Sequence, residues 1–393
     1  MDVQALKQRA AGRIDEATKA LDDLALAIHD HPETAFEERF AATAISDYLA
    51  SQGLPVTRGA GGLETAFVSE TKNGHGPTIA ICSEYDALPG IGHGCGHNLI
   101  ATSGVGAYLG VASVSRELKG SVRLIGTPAE EGGAGKVRLH EAGIFKDVDA
   151  AVMFHPADAD VLDPLMVALR VLDVEFRGKA AHAAASPYDG VNALDALMLG
   201  WGAMNALRQL VRSDTRIHGM ITDGGQASNI IPERAAARII VRAADPSYLG
   251  DVRRRVLACF EGAAKATGAE LRHAWGESMD QVTTNPPMAA AFLENARALG
   301  RALGPRRAGE TSGSTDMGNI SSLIPSIHPF LSISEQRVPW HSRDFAAAAR
   351  TPQALETMHT AAKALAFTVI DLLARPDLLK QAKDAFAARP RAK

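Results

Sequence analysis

Three runs of aliphatic and β-branched residues, GPTIAICS from Gly76, SVRLIGT from Ser121 and AAVMFH from Ala150, alternate with segments of helical spacing. This alternation constrains the chain more than any other feature. Strands joined through helices return most simply to neighbouring parallel positions, so the sequence predicts an α/β domain with a doubly wound sheet. The segment between the first two runs, NLIATSGVGAYLGVASVSREL, is apolar at helical spacing and rich in small residues, as suits a helix lying close on a sheet. At 393 residues and 46% apolar, the chain exceeds what one core usually holds, and two domains are expected.

The middle third has a different rhythm. Strand (VALRVLDVEFRG), helix, strand (RIHGMITDG), strand (ERAAARIIVRAA), helix and strand (AELRHAW) follow one another, a βαββαβ order that predicts a ferredoxin-like unit. We therefore expect an inserted domain over 167–282, with 1–166 and 283–393 forming the first. The N-terminus reads as one charged amphipathic helix. Past the insertion come a helix (PPMAAAFLENARALGRAL), a Gly/Ser loop (GETSGSTDMGN), a possible strand (PFLSISEQ), a helix from about Thr351, and an Ala-rich basic tail after Pro376.

Composition excludes several classes. The formal charge is −4 and no basic block stands out, so nucleic acid is not an expected partner. No run reaches the roughly 20 apolar residues that a bilayer span needs, and no apolar leader opens the chain, so no membrane partner and a cytoplasmic setting are expected. Cys82, Cys95 and Cys259 are too dispersed for a disulfide framework.

Ligands in open α/β sheets bind beyond the carboxyl ends of the strands. Here the reactive residues fall there repeatedly. The first run leads into Glu84, Asp86, Cys95 and His97, the second into Glu130 and Glu131, the third into His155. Gly94 and Gly96 let the backbone bend so that Cys95 and His97 face one side. Thiolate, imidazole and carboxylate together suit Zn²⁺, with Mn²⁺ also admitted by the carboxylates. In an extended segment Glu130 and Glu131 would project oppositely, one to metal and one to substrate and water. Neither a G-x-G-x-x-G nor a P-loop nor a G-x-S-x-G elbow is present. Two other classes remain in view: a thiol hydrolase built on Cys95, for which His97 is too close in sequence to be an ordinary partner base, and a non-catalytic metal-binding protein.

With these residues in place, the chain resembles the M20 family of metallopeptidases and amidohydrolases, and within it the branch of aminobenzoyl-glutamate hydrolase and the M20 dipeptidase-like proteins. The segments that carry the likeness are EYDALPGIGHGCGHN, TPAEEGGAGK, MFHP, GKAAHAAASPYDGVNALDA, ASNIIPERA, GSTDMGN and PWHS. The resemblance implies two divalent ions, Zn²⁺ or Mn²⁺, bridged by Cys95 and held also by His97, Glu131, His155 and His341. It implies Glu130 as general base and then acid, and Asp86 as the carboxylate that steadies the cluster. Glu84 stands where other branches carry a metal-binding histidine, which leaves the partner of Asp86 open. His328, in SIHPF, competes with His341 for the last position.

The resemblance further implies that the inserted domain is a lid and dimerisation module, that His182 polarises the scissile carbonyl, and that Asn229, Gly313 and Ser314 contact substrate. The expected function is cleavage of the amide of an N-acyl amino acid, aminobenzoyl-glutamate-like or a related aromatic or indolyl conjugate, by a homodimer. Dipeptidase or carboxypeptidase action on unusual dipeptides is the alternative.

Overall fold

The computed structural model describes residues 1–306 and 313–389. Residues 309–312 of the expected Gly/Ser loop and residues 390–393 of the tail lie outside them. Among the described residues the chain divides into two compact units, one from 1–165, 282–306 and 315–389, the other from 166–281 with 313–314.

The first unit is built on a six-stranded sheet. The strands Thr78–Ser83, Gly120–Gly126 and Ala150–Val152 run parallel, with Ile81 opposite both Leu124 and Val152. That register brings three carboxyl ends level. At one side the sheet becomes antiparallel: Phe67–Asn73 pairs with Gly120–Gly126, and Thr57–Arg58 pairs in turn with Phe67–Asn73. Phe67–Asn73 alternates polar and apolar residues weakly, and a short turn connects it to the next strand, so its β character was submerged in loop-like sequence.

The helix His97–Val114 packs on the sheet and against the helices Val3–Glu16, Thr18–Asp30 and Pro352–Ala374. Its residues are buried on nearly every side, which explains why its sequence is apolar throughout instead of striped. The N-terminal segment forms two helices instead of one, interrupted at Ala17. The tail after Pro376 is also corrected: Pro376–Ala388 is a helix, opened by its proline and buried through Leu378, Leu379 and Ala382. A separate parallel pair joins His155–Ala157 to Phe330–Ser332, with His155 opposite Phe330.

The second unit follows the ferredoxin-like order. Strands Ala168–Arg177, Arg216–Asp223, Arg234–Ala243 and Glu270–Met279 form one antiparallel sheet in which the first and third are central. The helices Ala193–Leu207 and Pro246–Thr267 pack on it and on each other, closing a core of Phe176, Leu197, Ile239, Val256 and Phe260. Both helices begin on side chains that satisfy their free N–H groups: Asn192 accepts from Leu194 and Asp195, Asp245 from Ser247 and Tyr248.

Candidate metal centre

Strand ends deliver the polar side chains and the turns aim them. After Thr78–Ser83 the chain turns back through a glycine-rich loop that ends at Gly96, the residue before the helix His97–Val114. Gly96 has φ +76°, and a Cβ there would stand 2.6 Å from Pro156 Cγ, so only glycine fits. The result sets Cys95 just before the helix and His97 on its first turn, both buried.

His97 is held from behind. Its Nδ1–H donates to Asp86 Oδ1 at 3.1 Å, and Asp86 Oδ2 accepts from the Glu131 N–H at 2.9 Å. This answers the open question of Asp86's partner and leaves His97 Nε2 buried with no hydrogen-bond partner. A carboxylate behind an imidazole is the arrangement that orients histidine ligands. His155 is fixed similarly, by donation from Nδ1 to the Pro156 carbonyl at 2.7 Å, which turns Nε2 to Cys95 Sγ at 3.4 Å.

Glu130 and Glu131 stand in a turn, not in the extended segment expected, so their separation of direction comes from turn geometry. The turn is bounded by two alanines with positive φ, Ala129 at 59° and Ala134 at 50°. Such backbone is uncommon for residues with a Cβ and is held here by contacts: Glu38 Oε1, fully buried, accepts the Ala129 N–H at 2.9 Å. Gly135 completes the constraint, because a Cβ there would fall 1.8 Å from the Pro128 carbonyl oxygen.

His341 also has positive φ, 57°, and its N–H donates to the Gly94 carbonyl at 2.9 Å. Its Nε2 thereby lies 3.5 Å from Glu131 Oε1. His328, the competing histidine, is fully buried beside His155 and Phe330 and falls in no potential ligand group among the described residues.

Two sets of donor atoms, Cys95–His97–His155 and Cys95–Glu131–His341, each lie within 4.8 Å of one another, and Cys95 Sγ belongs to both. His97, Glu130 and Glu131 form a third set. The charge balance fits divalent cations. Burial opposes a charge on His97, yet the Cys95 sulfur and the Asp86 carboxylate outweigh it and hold the imidazole well above its ordinary range. Glu131 Oε1 is buried without a hydrogen-bond partner, as an oxygen meant for an ion would be. A thiol, two or three imidazoles and a carboxylate are the donor types of dinuclear sites for Zn²⁺ or similar ions.

Glu130 is held differently. Burial first, then the carboxylates of Glu84, Glu131 and Asp316, push its carboxyl well above the usual range. Burial and then Glu131 likewise push the Cys95 thiol up, which disfavours a free nucleophilic thiolate.

Among the described residues, two that sequence reasoning missed, Lys136 and Asp316, complete the polar cluster. Lys136, fully buried, binds Glu84 and Asp316. Both lie in segments already marked, TPAEEGGAGK and GSTDMGN, but nothing local indicates that Lys136 reaches across 52 residues to Glu84 and 180 to Asp316.

The remaining expected residues belong to the second unit. His182 is exposed, and its Nδ1 accepts from the Ala184 and Ala185 N–H groups at 3.2 and 3.1 Å, which leaves Nε2 to carry the proton of the neutral ring. The Asn229 carbonyl accepts from Ala183 N–H at 3.0 Å, so Asn229 and His182 stand on adjoining segments. The Gly313 carbonyl accepts from Val167 N–H at 3.0 Å, and Ser314 Oγ accepts from Arg242 Nη1 at 3.2 Å.

Residues 80–368 match the model of peptidase family M20/M25/M40. The chain is 37% identical to the Xaa-Arg dipeptidase of Mus musculus, covering 99% of this chain and 94% of that protein. It is 30% identical to one subunit of the p-aminobenzoyl-glutamate hydrolase of Escherichia coli (strain K12), covering 94% of this chain and 93% of that one. In fold it is similar to a dinuclear metal binding peptidase from the M20 family of Bacillus subtilis, with a TM-score of 0.67, 22% identity, and coverage of 94% and 99%. The chain belongs to peptidase family M20/M25/M40 and is a hydrolase of this metallopeptidase and amidohydrolase group.

Proposed function

We propose that this protein hydrolyses the amide bond of an N-acyl amino acid, using two divalent cations, Zn²⁺ or Mn²⁺, held by Cys95, His97, Glu131, His155 and His341. The observation that carries the reading is the membership of Cys95 Sγ in both ligand sets, with Glu130 beside them. When bound, such cations lower the pKa of water and polarise a carbonyl oxygen.

The protein's own groups do the rest. Glu130 takes a proton from the attacking water on its carboxylate oxygen and passes it to the nitrogen of the departing amine. Its buried, negatively charged surroundings raise its proton affinity and suit it to that shuttle. Asp86 keeps His97 Nε2 turned to the cluster. His182 Nε2–H is the donor for the carbonyl oxygen as negative charge develops there. Asn229, Gly313 and Ser314 hold the remainder of the substrate.

The acyl group favoured is aromatic or indolyl, as in aminobenzoyl-glutamate. A dipeptide is the second reading, supported by likeness to the Xaa-Arg dipeptidase over nearly the whole chain. The metal-loaded protein should release free amino acid from one of p-aminobenzoyl-glutamate, indoleacetyl amino acids or dipeptides ending in arginine, measured by chromatography. Turnover should cease on chelation and return with Zn²⁺ or Mn²⁺. Activity that survives chelation and stops on thiol alkylation would instead identify a thiol hydrolase, and stoichiometric metal with no turnover across the panel a non-catalytic protein.

A homodimer through the second unit is part of this reading. Arg216–Asp223 is an edge strand whose Met220 is 61% exposed, and Met198 and Leu199 on Ala193–Leu207 are half exposed. An edge with exposed large apolar side chains invites pairing with a second copy. Sedimentation should give twice the chain mass at micromolar concentration, and Met220→Arg should shift it toward the single-chain value. A monomeric parent protein would sink this assignment.

Among the described residues, no helix is long and apolar enough to cross a membrane. The cytoplasmic setting we propose is supported by three free cysteines.

A further inference from the structure

Lys136 pairs with two buried carboxylates and has no part in the chemistry above. It is fully buried, at the second position of the short helix Gly135–Glu141. Its Nζ donates to Glu84 Oε1 and, at 2.5 Å, to Asp316 Oδ1, while its backbone N–H donates to Asp316 Oδ2 at 2.9 Å. Asp316 thus grips one residue at two points, which fixes the ammonium in place.

Oxygens of Glu84, Glu130 and Asp316 all lie within 4.8 Å of one another, the spacing of a cation cage. All three carboxylates are buried. Glu84 Oε2 has no hydrogen-bond partner and lies 3.6 Å from His97 Nε2, so the cage adjoins the proposed dinuclear centre. Oxygen-only cages of this kind take Mn²⁺ or Mg²⁺ readily. A divalent ion there would compete for Glu130, the carboxylate that must stay free to carry a proton.

An ion pair of this depth is a poor way to gain stability, because desolvating the charges offsets most of their attraction. Its geometry instead serves occupancy. We infer that Lys136 is a resident cation that closes the Glu84–Glu130–Asp316 cage to a third divalent ion and so keeps Glu130 metal-free. Lys136 is on this account a positioning residue, acting through Glu84 and Asp316, and the inference rests on the proposed role of Glu130 only for its effect on turnover.

The test counts ions. Parent protein, Lys136→Ala and Lys136→Arg are equilibrated with Mn²⁺, and bound metal per chain is measured by plasma mass spectrometry and by Mn²⁺ electron paramagnetic resonance. Lys136→Ala should hold one more Mn²⁺ per chain than the parent, and Lys136→Arg the parent's number. Turnover by Lys136→Ala should fall and recover partly with methylamine, which refills the cage and does not affect the parent. A folded Lys136→Ala with the parent's ion count overturns the inference.

Because unpaired buried carboxylates weaken the fold, the melting temperature of Lys136→Ala is also followed against Mn²⁺. A rise steeper than the parent's supports the inference, and early melting that Mn²⁺ does not relieve marks a purely structural ion pair and overturns it. The two readings separate cleanly. A parent without ions, beside a variant that gains one, refutes the dinuclear centre and supports the cage, while a metal-loaded parent beside a variant that gains none does the reverse.

Discussion

Glu130→Gln should retain the parent's complement of bound metal and lose about 10²- to 10⁴-fold in kcat, the range a general acid–base group supplies. The proposed ligand atoms belong to Cys95, His97, Glu131, His155 and His341, and none is removed by this change. The amide is nearly isosteric with the acid. It also relieves the repulsion from Glu84, Glu131 and Asp316 that pushes the Glu130 carboxyl up, so folding stability should not fall. What disappears is the ability to accept a proton from water and deliver it to the amine. Metal content by plasma mass spectrometry, read beside single-turnover kinetics, separates these effects. A variant that turns over normally would remove Glu130 from the mechanism, and one that loses metal would show that Glu130 is a ligand.

Cys95→Ser should be the most damaging change to the metal centre. Cys95 Sγ belongs to both of the sets that contain the proposed ligands, so its loss weakens both positions at once. Removing a partner that merely orients a ligand costs about 10- to 100-fold in affinity, and removing the shared donor should cost more. Ligands that bind only the folded protein stabilise it by mass action, about 2.7 kcal/mol at a hundredfold excess over Kd. The parent should therefore melt higher as Zn²⁺ or Mn²⁺ is added, and Cys95→Ser should respond little, with turnover lost. An undiminished thermal response and ion count in Cys95→Ser would mean that the cations sit elsewhere.

Much of this was legible in the sequence because it is encoded locally. The three parallel strands show as short aliphatic runs, and the residues that follow them arrive at one crevice because parallel strands share a direction. The βαββαβ order of the second unit was readable for the same reason: each strand and helix announces its period over its own 8 to 22 residues. Cys95, His97, Glu131 and His155 could be nominated from their places at strand ends alone.

Other features depend on contacts that no short window contains. The antiparallel strand Phe67–Asn73 is defined by its partner Gly120–Gly126, not by its own alternation. Pro376–Ala388 reads as a tail until its leucines find a surface to cover. The Glu pair takes its directions from a turn in which a distant carboxylate, Glu38, holds the Ala129 amide.

By itself the sequence determined the three parallel strands, the element order of the inserted unit and the kinds of side chain gathered at the strand ends, since these follow from periodicity and from the direction of parallel strands. Only the tertiary structure decided that His341 and not His328 adjoins Glu131, that Asp86 backs His97, and that Lys136 lies between Glu84 and Asp316. Those outcomes turn on where segments as far apart in the chain as Glu131 and His341 come to rest, and such placement is set by packing and by the pairing of buried charge, which local pattern does not record.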